Sequence, residues 1–195
     1  MKARLRVGWL GGIWLWAACV PPSAAGAVLS GTIRNPGGTA LSGDNLVRAS
    51  GGISTNATSG SYAIVVSNGW SGIVVVERPN EGGAGLYACF APNCRAYTNV
   101  AADLGGQDFQ ILGALGPSNR YQTIGGWVTN AVGQGVADVL VAATTNGGAA
   151  LTSTNGAYHL GCYYPVGGNW SGTVTPQKAE TTFAPVQRAY AAISS

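Results

Sequence analysis

Charge is the scarcest property of this sequence: 9% of its 195 residues are Asp, Glu, Lys or Arg, and there is one histidine. A single histidine excludes the paired imidazoles of a zinc site at the usual spacing. The few acids are dispersed and form no D-x-D-x-D-G loop, so no dedicated calcium site is written here. The abundant glycines fall in turn-like contexts, and none opens a phosphate-binding loop with a helix behind it. Helical periodicity is absent beyond the N-terminal stretch. Disorder is also excluded, because 46% of the residues are apolar and no charged tract exists.

The N-terminus carries most of the basic excess. Lys2, Arg4 and Arg6 precede an apolar run from Val7 to Val20, followed by a small-residue region ending Ala25-Gly26-Ala27. That order reads as a secretory signal over 1–27 with cleavage after Ala27. The run is short for a membrane span. The alternative is a lipoprotein signal with Cys19 as the lipidated residue, although Trp16 suits that poorly. Without these residues seven basic side chains face seven acids, and no basic patch points to nucleic acid or an anionic membrane. The expected location is secreted or cell-surface.

Beyond the signal the sequence repeats itself. FAPNCRAY (90–97) returns as FAPVQRAY (183–190), differing only where Asn93 and Cys94 give way to Val186 and Gln187. Upstream, LSGTIRNPGGTAL (29–41) matches IGGWVTNAVGQGV (124–136), and TSGSYAIVV (58–66) matches TNGAYHLGC (154–162). GWSGIVVVERP (69–79) matches NWSGTVTPQKA (169–179). A domain-sized repeat predicts two modules. Short β-branched runs such as SYAIVV, SGIVVVE, QDFQIL, ADVLVAAT and SGTVT, separated by NPGG, NGG, TSG and TNG, predict strands. The expected fold is all-β, two tandem seven-stranded sandwiches over 28–112 and 121–195, joined by a Gly/Pro/Ser linker at 113–120. The copy-specific insertions NEGGAGLYAC and CYYPVGG are expected to be surface loops.

The ordered set I/V-x-G-x-V, T-x-x-G-x-Y, G/N-W-S-G-x-V and F-x-P-x-x-R-x-Y, with a closing Gln107-Asp108-Phe109, resembles the carboxypeptidase regulatory-like family. The resemblance covers nearly all of the chain after the signal. It implies prealbumin-like (Ig-like) sandwiches that serve as non-catalytic accessory modules. One departure is plain: copy one runs on through QDFQIL, whereas copy two reaches only Ser195. The second sandwich is therefore expected to lack its last strand, either as the front of a longer protein or with an open edge that invites strand addition.

Within the octets, Phe90 and Phe183 are expected to anchor the core, Arg95 and Arg188 to make partly solvated contacts, and Tyr97 and Tyr190 to bury their rings. Trp70 and Trp170, at equivalent positions, read as packing residues. Cys89 and Cys94 are absent together from copy two and could close a disulfide around Pro92. Cys162 reads as a small buried residue. His159 and Cys162 have no triad-like company, so the chain is not expected to be an enzyme, and no cofactor or metal is implied. Tyr87, Trp127, Tyr163 and Tyr164 are the candidate ligand-binding aromatics.

The functional reading is an exported structural or adhesive module contacting surface proteins; the alternative is a carbohydrate-binding accessory contacting extracellular polysaccharide. Secretion from an expressing bacterium is expected to yield a chain beginning at Val28. N-terminal sequencing that found Lys2 still attached would contradict the signal reading.

Overall fold

The computed structural model describes residues 26–79, 87–113 and 119–194. The expected signal up to residue 25, Cys19 within it, and linker residues 114–118 lie outside these. Every regular element among the described residues is a strand. Module one places β1 (Ala27–Arg34) between β4 (Ser61–Val66), antiparallel, and β8 (Phe109–Ile111), parallel, with β6 (Phe90–Ala91) outside β8. Its facing sheet is ordered β3-β2-β5-β7, from Ile53–Asn56, Leu46–Ala49, Trp70–Glu77 and Arg95–Val100. Alternation in SYAIVV sets which side is buried: Tyr62, Ile64 and Val66 face the core while their neighbours face solvent.

Module two repeats this plan with fewer strands. β10 (Leu140–Ala143), β11 (Ala149–Leu151), β13 (Trp170–Gln177) and β14 (Arg188–Ile193) form the sheet β11-β10-β13-β14. Opposite it, β9 (Asn119–Trp127) pairs with β12 (Ala157–Pro165) alone. Neither β6 nor β8 has a counterpart among the described residues. The repeated W-S-G motif has the same geometry twice. Pairing of β5 with β7 shifts register between Trp70 and Gly72, and pairing of β13 with β14 shifts between Trp170 and Gly172. Each indole folds back over the glycine two residues on, where a Cβ would stand 2.3 Å from Trp70 and 2.6 Å from Trp170. The two rings then pack on Tyr97 and Tyr190, with centroids 6.0 and 6.2 Å apart. Both Ala–Pro bonds of the octets are cis.

Several expectations need correction. The linker is shorter than 113–120, since β9 already includes Asn119 and Arg120, paired with Pro165 and Tyr164. CYYP is not a loop but the end of β12. β1 begins at Ala27, which is buried and paired with Val66, so cleavage after Ala27 removes one residue of that strand. The Cys89–Cys94 disulfide is not formed: Cys89, Cys94 and Cys162 are free thiols. Cys89 is buried at the end of the module one core where it meets module two, its Sγ 3.3 Å from the Asn146 carbonyl, whereas Cys94 packs elsewhere on the seam, against the patch of Val75, Leu140, Ala149 and Leu151. Burial pushes the Cys89 and Cys162 thiols up to about 12.

The modules are not beads on a string. Val74 and Val76 enter the core of module one while Val75, between them, packs on Leu140, Ala149 and Leu151 of module two. Beside this patch the guanidinium of Arg48 bridges two partners, at 3.0 Å from the Glu77 carboxylate and 2.7 Å from the Leu151 carbonyl. Burial pushes the Glu77 carboxyl up, opposed by Arg48 and by the Leu151 N–H. The pair thereby caps the free edge of β11. Arg48→Ala would leave Glu77 a mostly buried acid without its cation, held by the Leu151 N–H alone. It should destabilise the protein by about 2–4 kcal/mol, less than a fully buried pair. In calorimetry this is a midpoint lowered by roughly 5–10 °C; an unchanged midpoint would remove the bridge from the account.

Candidate functional site

The octet of module one holds the segment that follows it. Residues 103–111 run beside β1, where Ser30 N–H donates to the Leu104 carbonyl (2.9 Å) and Gln107 N–H to the Ser30 carbonyl (3.0 Å). Three side chains then grip this segment. The Tyr62 hydroxyl donates to the Gln107 carbonyl, Tyr97 to Gln107 Oε1 at 3.0 Å, and Arg95 Nη2 to the Asp108 carbonyl at 2.6 Å. The Arg95 guanidinium also lies over the Phe109 ring, 5.4 Å from its centroid, and Tyr62 flanks the same ring at 6.3 Å. Asp108 closes the arrangement. Its carboxylate accepts from Thr32 N–H (2.7 Å) and pairs with Arg34 (3.2 Å). The Thr32 N–H, then Arg34, hold that carboxyl below the ordinary range.

Gly31 explains why the segment can come so close. A Cβ there would stand 2.5 Å from the Gln107 carbonyl oxygen, so any other residue would push the strand away.

Module two retains the gripping side chains, and among the described residues no segment lies in their grip. Gly126 stands where Gly31 does, Tyr158 where Tyr62 does, and Phe183, Arg188 and Tyr190 complete its octet. Above Gly126 the nearest atoms are those of the Tyr158 ring and hydroxyl, the latter 2.8 Å from an added Cβ. These residues line a groove of about 570 Å³ that runs along the free edge of β9. Phe183 is half-buried where Phe90 is 2% exposed, and Arg188 is exposed and without an ion pair among the described residues. Phe183 is thus less of a core anchor than Phe90, and the Tyr97 and Tyr190 rings are half-buried rather than buried. Burial pushes the Tyr158 hydroxyl up, with Tyr190 adding to it and Arg188 opposing it. By strand alternation, the N–H groups of Gly125 and Trp127 point to the open side as those of Ser30 and Thr32 point toward residues 104–108. The Trp127 ring stands 72% exposed at the mouth of this groove.

The other candidate aromatics do not gather here. Tyr87 stacks on His159 at 5.4 Å across the seam, and its N–H donates to Thr123 Oγ1. Tyr163 packs on Tyr121 against the core of module one, and Tyr164 is buried in the core of module two. Tyr163 and Tyr164 do not lie in a loop, because β12 extends to Pro165, whereas Tyr87 does lie outside the strands. Two shallower depressions lie along the seam, one beside Pro92 and Asn146 and one beside Ile73 and Lys178. What the sequence reading missed is the joint role of Tyr62, Gly31 and their counterparts. The signal was present, as a repeated Gly and Tyr aligned across copies while QDF was not repeated.

No protein-family model, curated protein or solved structure matches the chain. Module one is therefore the reference for module two. If the 103–111 segment holds module one closed, Phe109→Ala should cost about 3–5 kcal/mol, the range for a fully buried phenylalanine. Urea unfolding checks this, and a loss below about 1 kcal/mol would mean the segment is an accessory to an already complete sandwich.

Proposed function

We propose that the chain is a non-catalytic, exported interaction module that acts outside the cell, with module one as a closed, rigid support and module two as the binding module. The observation that supports this is the open β9 edge beside a groove whose gripping side chains are those that hold a strand in module one. An edge with unpaired backbone groups takes an added strand, main-chain bonds giving affinity and side-chain pockets giving selectivity. Relation to the carboxypeptidase regulatory-like family belongs to the same proposal, supported by the four ordered motifs and their repetition. The exposed Trp127 ring favours a second reading, in which the groove mouth stacks a sugar of an extracellular polysaccharide.

The two readings separate on whole cells of the producing organism. Purified chain should bind the cell surface, and binding should disappear after protease treatment of the cells. Gly125→Pro removes an outward N–H at an edge position and should abolish binding. Its added Cβ would stand 2.9 Å from the His159 ring, so some fall in the melting midpoint is expected with it, and the variant is scored at a temperature where it remains folded. Binding that survives protease and Gly125→Pro, but is lost on periodate oxidation of the cells and in Trp127→Ala, would establish the polysaccharide reading instead. No binding under any condition would overturn both.

A further inference from the structure

We propose that the groove of module two receives, parallel to β9, an extended strand of a partner polypeptide whose recognised core is Asp or Asn, then an aromatic residue, then any residue, then an aliphatic one. This deepens the preceding reading and rests on it: the β9 edge must be a protein-binding site. The chemistry follows from residues 108–111 in module one, position by position. Direction comes first, since β8 runs parallel to β1 with Ile33 opposite Phe109 and Arg34 opposite Gln110. Val128 stands at the place of Ile33, so the partner's aromatic residue lies opposite Val128.

That aromatic residue is received as Phe109 is, under a guanidinium and flanked by a tilted tyrosine ring. Tyr158 and Arg188 supply these in module two, and Arg188 there has no carboxylate against it among the described residues. One residue earlier, an acceptor side chain is required. Asp108 accepts from Thr32 N–H, and the corresponding Trp127 N–H faces the open side. Thr129 replaces Arg34, so the ion pair that Asp108 makes is not available, and Asn serves at that position as well as Asp. Two residues after the aromatic, Ile111 pairs with Phe90, and the half-buried Phe183 offers an aliphatic side chain the same contact. The residue before the acidic position presses its carbonyl on Gly126, as Gln107 does on Gly31.

The test is a titration of the full chain with the synthetic peptide DLGGQDFQIL, which is residues 103–112 of this chain, read by tryptophan fluorescence. Trp70 and Trp170 are packed against their tyrosines, and Trp9, Trp14 and Trp16 lie outside the described residues, so the part of the fluorescence change that is lost in Trp127→Phe reports the groove. Saturable one-to-one binding is expected. Asp108→Ala or Phe109→Ala within the peptide should each weaken it about tenfold or more, the scale of losing one charge-assisted hydrogen bond or one buried ring. Arg188→Ala in the protein should weaken it similarly, and the reversed peptide LIQFDQGGLD should not bind. Should Arg188→Ala misfold, the peptide variants against unaltered protein carry the test alone. No binding of DLGGQDFQIL, or binding indifferent to its Asp and Phe, overturns the inference. So does concentration-dependent dimerisation of the chain that excludes the peptide, since the occupant is then a second copy. Cell-surface binding still blocked by Gly125→Pro would in those cases leave the broader reading standing with a different strand chemistry; loss of both would remove both.

Discussion

The contact between the Gln107 carbonyl and the bare Cα of Gly31 governs the rest of module one. A strand can lie this close to β1 only where no side chain intervenes. Once it does, the hydroxyl of Tyr62, the guanidinium of Arg95 and the Thr32 N–H all find acceptors on two successive residues, Gln107 and Asp108. Phe109 and Ile111 are carried into the core by the same placement. The octet is conspicuous in the sequence because it does two jobs: Phe90 pairs with the strand, and Arg95 and Tyr97 clamp it.

Module two shows the same machinery with no such strand among the described residues. Its facing sheet is complete, and its indole, bulge and tyrosine repeat those of module one closely. The difference is confined to one edge. Proteins usually blunt such an edge with charge, proline or a covering segment. Here the β11 edge is treated that way, capped by Arg48 and Glu77, while the β9 edge carries glycines and an exposed indole. That contrast within one molecule is what supports the proposal of a contact site at the β9 edge.

Much of this was legible in the sequence, for physical reasons that also mark where legibility stopped. Alternation in SYAIVV and the turn signals around it gave strands and fold class, because period-two burial is local. The repeat predicts two modules, and QDF has no copy in the second, where no strand among the described residues pairs with the outer edge of β9. The seam was not foreseen, although its trace was there. GIVVVE and DVLVAA break alternation because Val75 and Leu140 are buried on the outer face while their neighbours fill the cores. The disulfide expectation failed for a related reason. Two cysteines absent together from a repeat suggest bonding, but Cys89 and Cys94 answer to different neighbours at the seam, Cys89 to the Asn146 carbonyl and Cys94 to the patch around Val75 and Leu140. Tyr163 and Tyr164 were placed in a loop because the insertion sits there; β12 simply continues through it.

The central claim is that one strand slot is filled in module one and open in module two. Native-state amide hydrogen exchange read at single residues tests it most directly. Ser30 and Thr32 should exchange only when module one unfolds, whereas Gly125 and Trp127, at the equivalent positions, should exchange nearly as fast as unprotected amides. Equal protection at both pairs would contradict the claim, since the β9 edge would then be covered in solution.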